Sequence, residues 1–231
     1  MIAEGVVEGL RLLFSFDPQV WRPIAVSLSV SGTATVLAAA LGLPLGLAVG
    51  LGSFRGRRLV IGLLNTCLAL PTVLVGLVVY AFISRQGPLG SLELLYTPAA
   101  MIIGQTLLAL PIIAALCAAA LERADPRVRL TALALGAGRW RAALAVAAEA
   151  RAALVAAVAA GFGRVFAEVG ISMILGGNIR GATRNITTGI AFETGKGEFA
   201  RGVALGVVLL AVALAINFAA GLWQLRREPR P

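Results

Sequence analysis

Residues 94–121 read LLYTPAAMIIGQTLLALPIIAALCAAAL, a run of 28 residues that contains no charged side chain. A helix of about 20 apolar residues crosses the hydrocarbon core of a bilayer, which is roughly 30 Å thick. Three further uncharged runs are long enough to do the same: residues 23–54, 59–84 and 202–225. A fifth run, residues 152–179, is interrupted only by Arg164 and Glu168. These runs predict an all-α, multi-pass membrane protein with about five transmembrane helices.

The composition also excludes several classes of function. Only 13% of the residues are charged, against about 25% in soluble domains. The chain has no histidine, so it lacks the commonest general base and metal ligand. Its two cysteines, Cys67 and Cys117, lie inside apolar runs, which favours small core residues over a disulfide or a metal site. We therefore expect no metal, no cofactor and no enzymatic activity.

The basic residues lie between the apolar runs and predict the orientation of the chain. Twelve of the 20 lie at residues 55–58, at residues 122–151 and in the tail at residues 226–231; seven lie in the segments on the opposite side, and Arg164 lies within a run. Cytoplasmic loops of membrane proteins carry the excess of arginine and lysine. The count predicts an outer N-terminus and a cytoplasmic C-terminus in a bacterial inner membrane. Because no single basic face is formed, a nucleic-acid partner is not expected.

Small residues and prolines interrupt the apolar runs at defined positions. Gly42, Gly46 and Gly50 are spaced by four and predict close approach of a neighbouring helix. Three prolines sit inside predicted helices and should kink them: Pro44, Pro71 and Pro111.

Residues 122–151 carry the signals of a short helix, a glycine turn and a second helix. Asp125-Pro126 is a helix start, with aspartate as the cap and proline in the first turn. Gly136 and Gly138 break this helix, and Arg139 opens the next. Such a projecting segment is suited to docking in a groove of another protein. A loop helix lying on the membrane surface is the alternative.

This segment resembles the coupling loop of binding-protein-dependent ABC transporter permeases, which have a MetI-like fold. Leu130-Thr131-Ala132 stands where that family has Glu-Ala-Ala, and Gly136 stands at the family's glycine. The resemblance covers about residues 24–225 and implies an ABC ATPase as partner. The residues it implies for ATPase coupling are Leu130, Thr131, Ala132, Leu133, Gly136, Gly138 and Arg139. The only lysine, Lys196, is not in a phosphate-binding loop, so ATP hydrolysis would lie in that partner.

A second stretch resembles the outer loop of tungstate-type permeases, which are relatives of molybdate permeases. It includes Gly176-Gly177-Asn178-Ile179-Arg180-Gly181 and the segment Phe192–Phe199. The resemblance implies an importer for an oxyanion, tungstate, with molybdate or another anion as the alternative. It also implies a periplasmic oxyanion-binding protein and a homodimer in the lipid bilayer. Guanidinium, amide and hydroxyl donors recognise oxyanions, and the candidates here are Asn178, Arg180, Arg184, Thr187 and Thr188. Solvated arginines, or arginines that contact a docking protein, are the other interpretation.

Arg164 and Glu168 are the ionisable residues deep inside an apolar run. They are four residues apart and can pair on one helix face. Charges at membrane depth face protein or water and often serve transport; a salt bridge that fixes helix position is the alternative. A secondary transporter or channel, or a structural subunit, remains a rival function at this point.

The predicted organisation has three parts. Residues 1–23 form an N-terminal periplasmic or interfacial segment, in which residues 6–16 have the pattern of an amphipathic interfacial helix; a frayed leader is the alternative. Residues 24–225 form the transmembrane permease domain, with the coupling loop at about residues 122–149. Residues 226–231 form a basic cytoplasmic tail.

Overall fold

The computed structural model describes residues 6–8, 10, 11, 14, 15 and 17–225, and these residues contain helices and no strands. The predicted all-α class is confirmed. Part of the interfacial helix expected over residues 6–16, and all of the tail at residues 226–231, lie outside the described residues.

The helices follow one another with short connections. In chain order they are α1 Pro18–Leu51, α2 Arg57–Leu68, α3 Thr72–Ile83, α4 Pro98–Glu122, α5 Pro126–Ala134, α6 Arg139–Glu149, α7 Arg151–Phe166, α8 Gly170–Gly176, α9 Ile186–Gly195 and α10 Phe199–Leu225, with a 3-10 turn at Gly90–Leu92. Within this described part, α1, α4 and most of α10 are each long and apolar enough to cross a membrane. Two bent pairs, α2 with α3 and α6 with α7, pass the same test together. By length and composition, residues 17–225 therefore offer three candidate spans, or up to five if each bent pair is one span.

The pairing of α1 with α4 forms the centre of the bundle. The glycine face of α1 lies against α4, as its spacing predicted. A Cβ atom at Gly46 would lie 2.6 Å from the Cβ of Cys117 and 2.8 Å from the carbonyl oxygen of Ala114. Because carbon atoms do not approach so closely, only glycine permits this helix spacing.

Two of the helix predictions are corrected. Pro44 and Pro111 do lie inside α1 and α4, but Pro71 does not lie inside a helix. The chain leaves the helix after Leu68 and resumes at Thr72, and the two axes differ by 100°. Proline lacks an N–H group and disfavours helix at the residue before it. The result is a break rather than a kink.

The run 152–179 is likewise not one continuous helix. α7 is bent by 73° from α6 and ends at Phe166. Residues Ala167–Val169 are not helical, and α8 that follows has only seven residues. The break frees the buried carboxylate of Glu168 to accept a hydrogen bond from the N–H of Ile171 at 3.2 Å.

The bundle has two distinct ends. Arg57 and Glu122 form an ion pair that joins the start of α2 to the end of α4, and α5 follows directly. We call this the knob end. α1 has 34 residues and is about 50 Å long at 1.5 Å per residue, so Asp17–Pro23 lies at the opposite end, which we call the far end.

Candidate functional site

The knob, which we define as residues 125–140, has the helix–turn–helix form that the sequence predicted. Asp125 Oδ1 accepts a hydrogen bond from the N–H of Arg127 at 2.8 Å and caps α5. Gly136 has a φ of +85° with nothing within 4 Å of a Cβ placed on it. The glycine therefore serves the backbone conformation rather than a tight contact. Gly138 caps α6 at Arg139.

The knob exposes apolar side chains. No residue of α5 is fully buried, and Val128 anchors the helix against the cluster around Leu121 and Val146. Leu130, Leu135 and Trp140 are 64%, 83% and 65% exposed. Of the residues expected to couple to an ATPase, all are exposed except Ala132, which is half-buried: Leu130, Thr131, Leu133, Gly136, Gly138 and Arg139. Exposed apolar groups clustered on a projection are typical of a protein-docking surface.

Arg164 and Glu168 are in contact. Arg164 NH1 donates a hydrogen bond to Glu168 Oε2 at 3.1 Å. The Glu168 side chain is 3% exposed and that of Arg164 is 42% exposed. Glu168 lies just beyond the end of α7, so one carboxylate oxygen holds Arg164 while the other caps α8. The pair thus ties the end of α7 to the beginning of α8.

A chain of buried polar side chains runs from this pair across the bundle. Thr187 Oγ1 donates to the carbonyl oxygen of Glu168 at 2.8 Å. Asn185 Nδ2 and Gln105 Nε2 both donate to Ser172 Oγ, at 2.9 and 3.3 Å. Ser31 Oγ donates to Gln105 Oε1 at 3.0 Å. We call Ser31, Gln105, Ser172, Asn185 and Thr187 the polar chain; it links α1, α4, α8 and α9.

The sequence analysis had not singled out Gln105, Ser172 or Asn185. A signal for one of them was present, because Gln105 is the single amide side chain in the run 94–121. Buried amides require hydrogen-bond partners, so its position in the middle of an apolar helix marked it as a site of inter-helix bonding. Ser172 and Asn185 become part of the polar chain only through the turn that follows α8.

Most polar side chains at residues 178–188, which we call the far-end loop, form hydrogen bonds within the protein. Asn185 caps α9, since its Oδ1 accepts from the N–H of Thr188 at 2.8 Å and Thr188 Oγ1 accepts from the N–H of Asn185 at 3.1 Å. Thr187 and Thr188 are 4% and 0% exposed. Of the five residues proposed as anion donors, these two are therefore enclosed by protein in this structure.

Asn178 and Arg184 are also held by each other. Asn178, which has a φ of +52°, accepts a hydrogen bond through Oδ1 from Arg184 Nε at 3.1 Å. The guanidinium of Arg184 lies 4.1 Å from the ring centroid of Phe192 and 3.8 Å from Glu193 Oε1. Arg180, by contrast, is exposed. The structure thus separates the predicted donors into enclosed threonines, a fixed Asn178–Arg184 pair and an accessible arginine.

Comparison with known proteins agrees with this architecture. The family described as "Binding-protein-dependent transport system inner membrane component" matches residues 42–230. The chain is 43% identical over 227 residues to the tungstate uptake system permease protein TupB of Peptoclostridium acidaminophilum, covering 98% of this chain and 99% of the relative. It is 44% identical over 217 residues to TupB of Campylobacter jejuni, covering 94% and 91%.

Solved structures share the fold. A chain of the MetNI methionine ABC transporter, in an inward-facing conformation, superimposes with a TM-score of 0.73 over 93% of this chain and 99% of its own length. At 21% sequence identity this likeness concerns the fold alone, and it confirms the expected MetI-like architecture. This protein belongs to the family of inner membrane components of binding-protein-dependent transport systems.

Proposed function

We propose that this protein is the permease subunit of an ABC importer for an oxyanion, tungstate, and that its knob docks in a separate ABC ATPase. The observation that carries the proposal is the exposure of Leu130, Leu135 and Trp140 on a projection that begins at the Asp125 cap. Hydrolysis in the partner would move the knob, and the helices would shift between outward-open and inward-open states. The substrate is supported by the relatives' names and by the resemblance of the far-end loop.

Import also implies an orientation. We propose that the knob end faces the cytoplasm and the far end the periplasm, where an oxyanion-binding protein delivers its cargo. The excess of basic residues at the knob end supports this. Under this arrangement Arg180 and Arg184 are among the first protein cations that an arriving anion meets.

We further propose that two copies of the chain enclose the transport route. The partial exposure of Arg164 supports a second copy packed beside it. A guanidinium at membrane depth is costly against lipid, so it normally faces protein or water. Ala153, Ala160 and Ala167 are exposed on α7 and just beyond it.

In a variant without Cys67 and Cys117, Ala160→Cys should cross-link two copies in membranes. Leu214→Cys, on the exposed side of α10, is the control. Equal cross-linking at both positions would contradict the homodimer.

The proposed function is tested by capture of the ATPase. The solubilised wild type is expected to retain an ABC ATPase that Leu135→Asp and Gly136→Asp lose. Phe54→Asp is the matched control, because Phe54 is 45% exposed in the loop before α2 and lies outside the knob. Uptake of tungstate by vesicles that contain the complete complex, with molybdate and sulfate as competitors, then identifies the anion. If the ATPase is captured equally by all variants, or by none, the proposal fails.

A further inference from the structure

The far end contains a cavity of about 220 Å³ whose walls are strongly basic. It lies where the first turns of α1 and α10, the loop at residues 180–184 and the end of α9 meet. Its charged lining consists of five cations and two carboxylates: Arg22, Arg180, Arg184, Lys196 and Arg201, with Asp17 and Glu193. The positive groups come from four separate segments of the chain, so the cluster exists only in the folded protein.

The two carboxylates offset only part of the charge of the five cations. Asp17 Oδ1 caps α1 by accepting a hydrogen bond from the N–H of Gln19 at 2.7 Å. Glu193 Oε1 is the ion-pair partner of Arg184 at 3.8 Å, and its Oε2 is buried without a hydrogen-bond partner. Lys196 lies over the ring of Phe192, with 4.2 Å between Nζ and the centroid. The acids therefore leave most of the positive charge uncompensated.

Three of the arginines have no carboxylate partner among the described residues. Within the described part of the chain, no carboxylate forms an ion pair with Arg22, Arg180 or Arg201. Arg22 nevertheless approaches the loop closely, because a Cβ placed on Gly181 would lie 3.4 Å from its NH1 atom. Like charges gathered around one space repel one another, and an anion in that space removes the repulsion.

We propose that this cavity is a receiving site for a doubly charged tetrahedral oxyanion, bound by Arg22, Arg180 and Arg201 before it enters the membrane. The proposal deepens the proposed function and rests on it for the identity of the anion. Guanidinium groups present several N–H donors in a fixed plane and bind oxyanions through paired hydrogen bonds. The cavity has room for several water molecules at roughly 30 Å³ each, and so for an anion with four oxygens. Arg184, held by Asn178 and Glu193, also lines the site.

Binding is measured on the full-length chain in lipid nanodiscs without ATPase or binding protein. Sodium tungstate is the probe in equilibrium dialysis, with sodium sulfate as a second tetrahedral dianion and ionic strength held constant with sodium chloride. Arg180→Gln and Arg201→Gln should each weaken tungstate binding about fivefold to tenfold. Arg85→Gln should leave it unchanged, because Arg85 is exposed after α3 and lines a different cavity. Thermal unfolding of each variant in the same nanodiscs establishes that it is folded.

Two results overturn the site. One is equal tungstate binding by the wild type and the double variant Arg180→Gln/Arg201→Gln. The other is weaker capture of an oxyanion-binding protein by these variants while dialysis is unchanged, which would assign the arginines to carboxylates of that protein. ATP-driven uptake by the complete complex separates the two proposals. If the complex takes up tungstate but the cavity variants bind it as the wild type does, the proposed function stands and the receiving site is wrong. If the variants lose tungstate binding but the complex shows no uptake, the site stands and the proposed function is wrong.

Discussion

Arg164 and Glu168 are joined by a 3.1 Å hydrogen bond across the point where α7 ends, and the same carboxylate caps α8. Nearly all of Glu168 is buried, whereas Arg164 is 42% exposed. The carboxylate of the pair therefore lies in the protein interior, and the guanidinium of Arg164 reaches the surface. It holds together a helix break that the apolar pattern of the sequence does not reveal.

Replacing Glu168 by alanine should destabilise the protein. The change leaves the Arg164 guanidinium without its anion and the N–H of Ile171 without its side-chain acceptor. Because Arg164 is partly exposed, we expect a loss of about 2–3 kcal/mol, below the roughly 3–5 kcal/mol for breaking a fully buried pair. Thermal unfolding of the detergent-solubilised chain measures it. Glu168→Gln, which keeps an acceptor for α8, should lose less. Unchanged yield, unfolding and transport for Glu168→Ala would show that the pair has no such role.

The contact between α1 and α4 predicts a position-specific effect of adding one methyl group. Gly46→Ala places a carbon 2.6 Å from the Cβ of Cys117, so the helices must separate, at a cost of about 1–3 kcal/mol. Gly32→Ala is the matched control on the same helix, since nothing lies within 4 Å of its added carbon. Monodisperse yield and unfolding temperature report the difference. Equal behaviour of the two variants would contradict the close packing.

The polar chain predicts that Gln105 matters more than its neighbour. Gln105→Leu removes the amide that bridges Ser31 and Ser172 and leaves each buried hydroxyl with one hydrogen-bond partner fewer, so stability should fall by about 1–3 kcal/mol. Thr106→Val removes only one long hydrogen bond, of 3.4 Å, to the carbonyl oxygen of Ala34, and should have a smaller effect. Unfolding measurements on both variants compare them directly. A larger loss for Thr106→Val would be the contrary result.

The turn of the knob should tolerate asparagine better than alanine at position 136. Gly136 has a φ of +85°, which costs a residue with a Cβ roughly 1 kcal/mol, and asparagine adopts it more readily than other residues. We expect ATPase capture to decrease in the order wild type, Gly136→Asn, Gly136→Ala. Gly138→Ala should behave as the wild type, since φ at Gly138 is −65° and the added carbon meets nothing within 4 Å. Loss of capture by Gly138→Ala alone would refute this account of the turn.

Much of the architecture was predictable because its causes are local in the chain. Uncharged runs identify membrane helices, since a bilayer selects for length and apolarity alone. Asp125-Pro126 and Gly136 define the knob through capping and backbone conformation, which depend on neighbouring residues. The glycine spacing of α1 predicted a close helix contact, although not that α4 is the partner.

The remaining features depend on residues that are distant in the sequence. Apolarity is the same on either side of a helix break, so the run 152–179 did not reveal that α7 ends at Phe166. Hydrogen-bond partners decide that Thr187 binds the carbonyl oxygen of Glu168 and that Thr188 serves the cap of α9. The basic cavity requires Arg22 and Arg201, from opposite ends of the chain, to meet the loop around Arg180. The sequence by itself determined the membrane class, the helical runs and the knob, because these follow from local composition and conformation. Only the tertiary structure decided where the helices break and which charges share one space, because both depend on contacts between segments that the sequence keeps far apart.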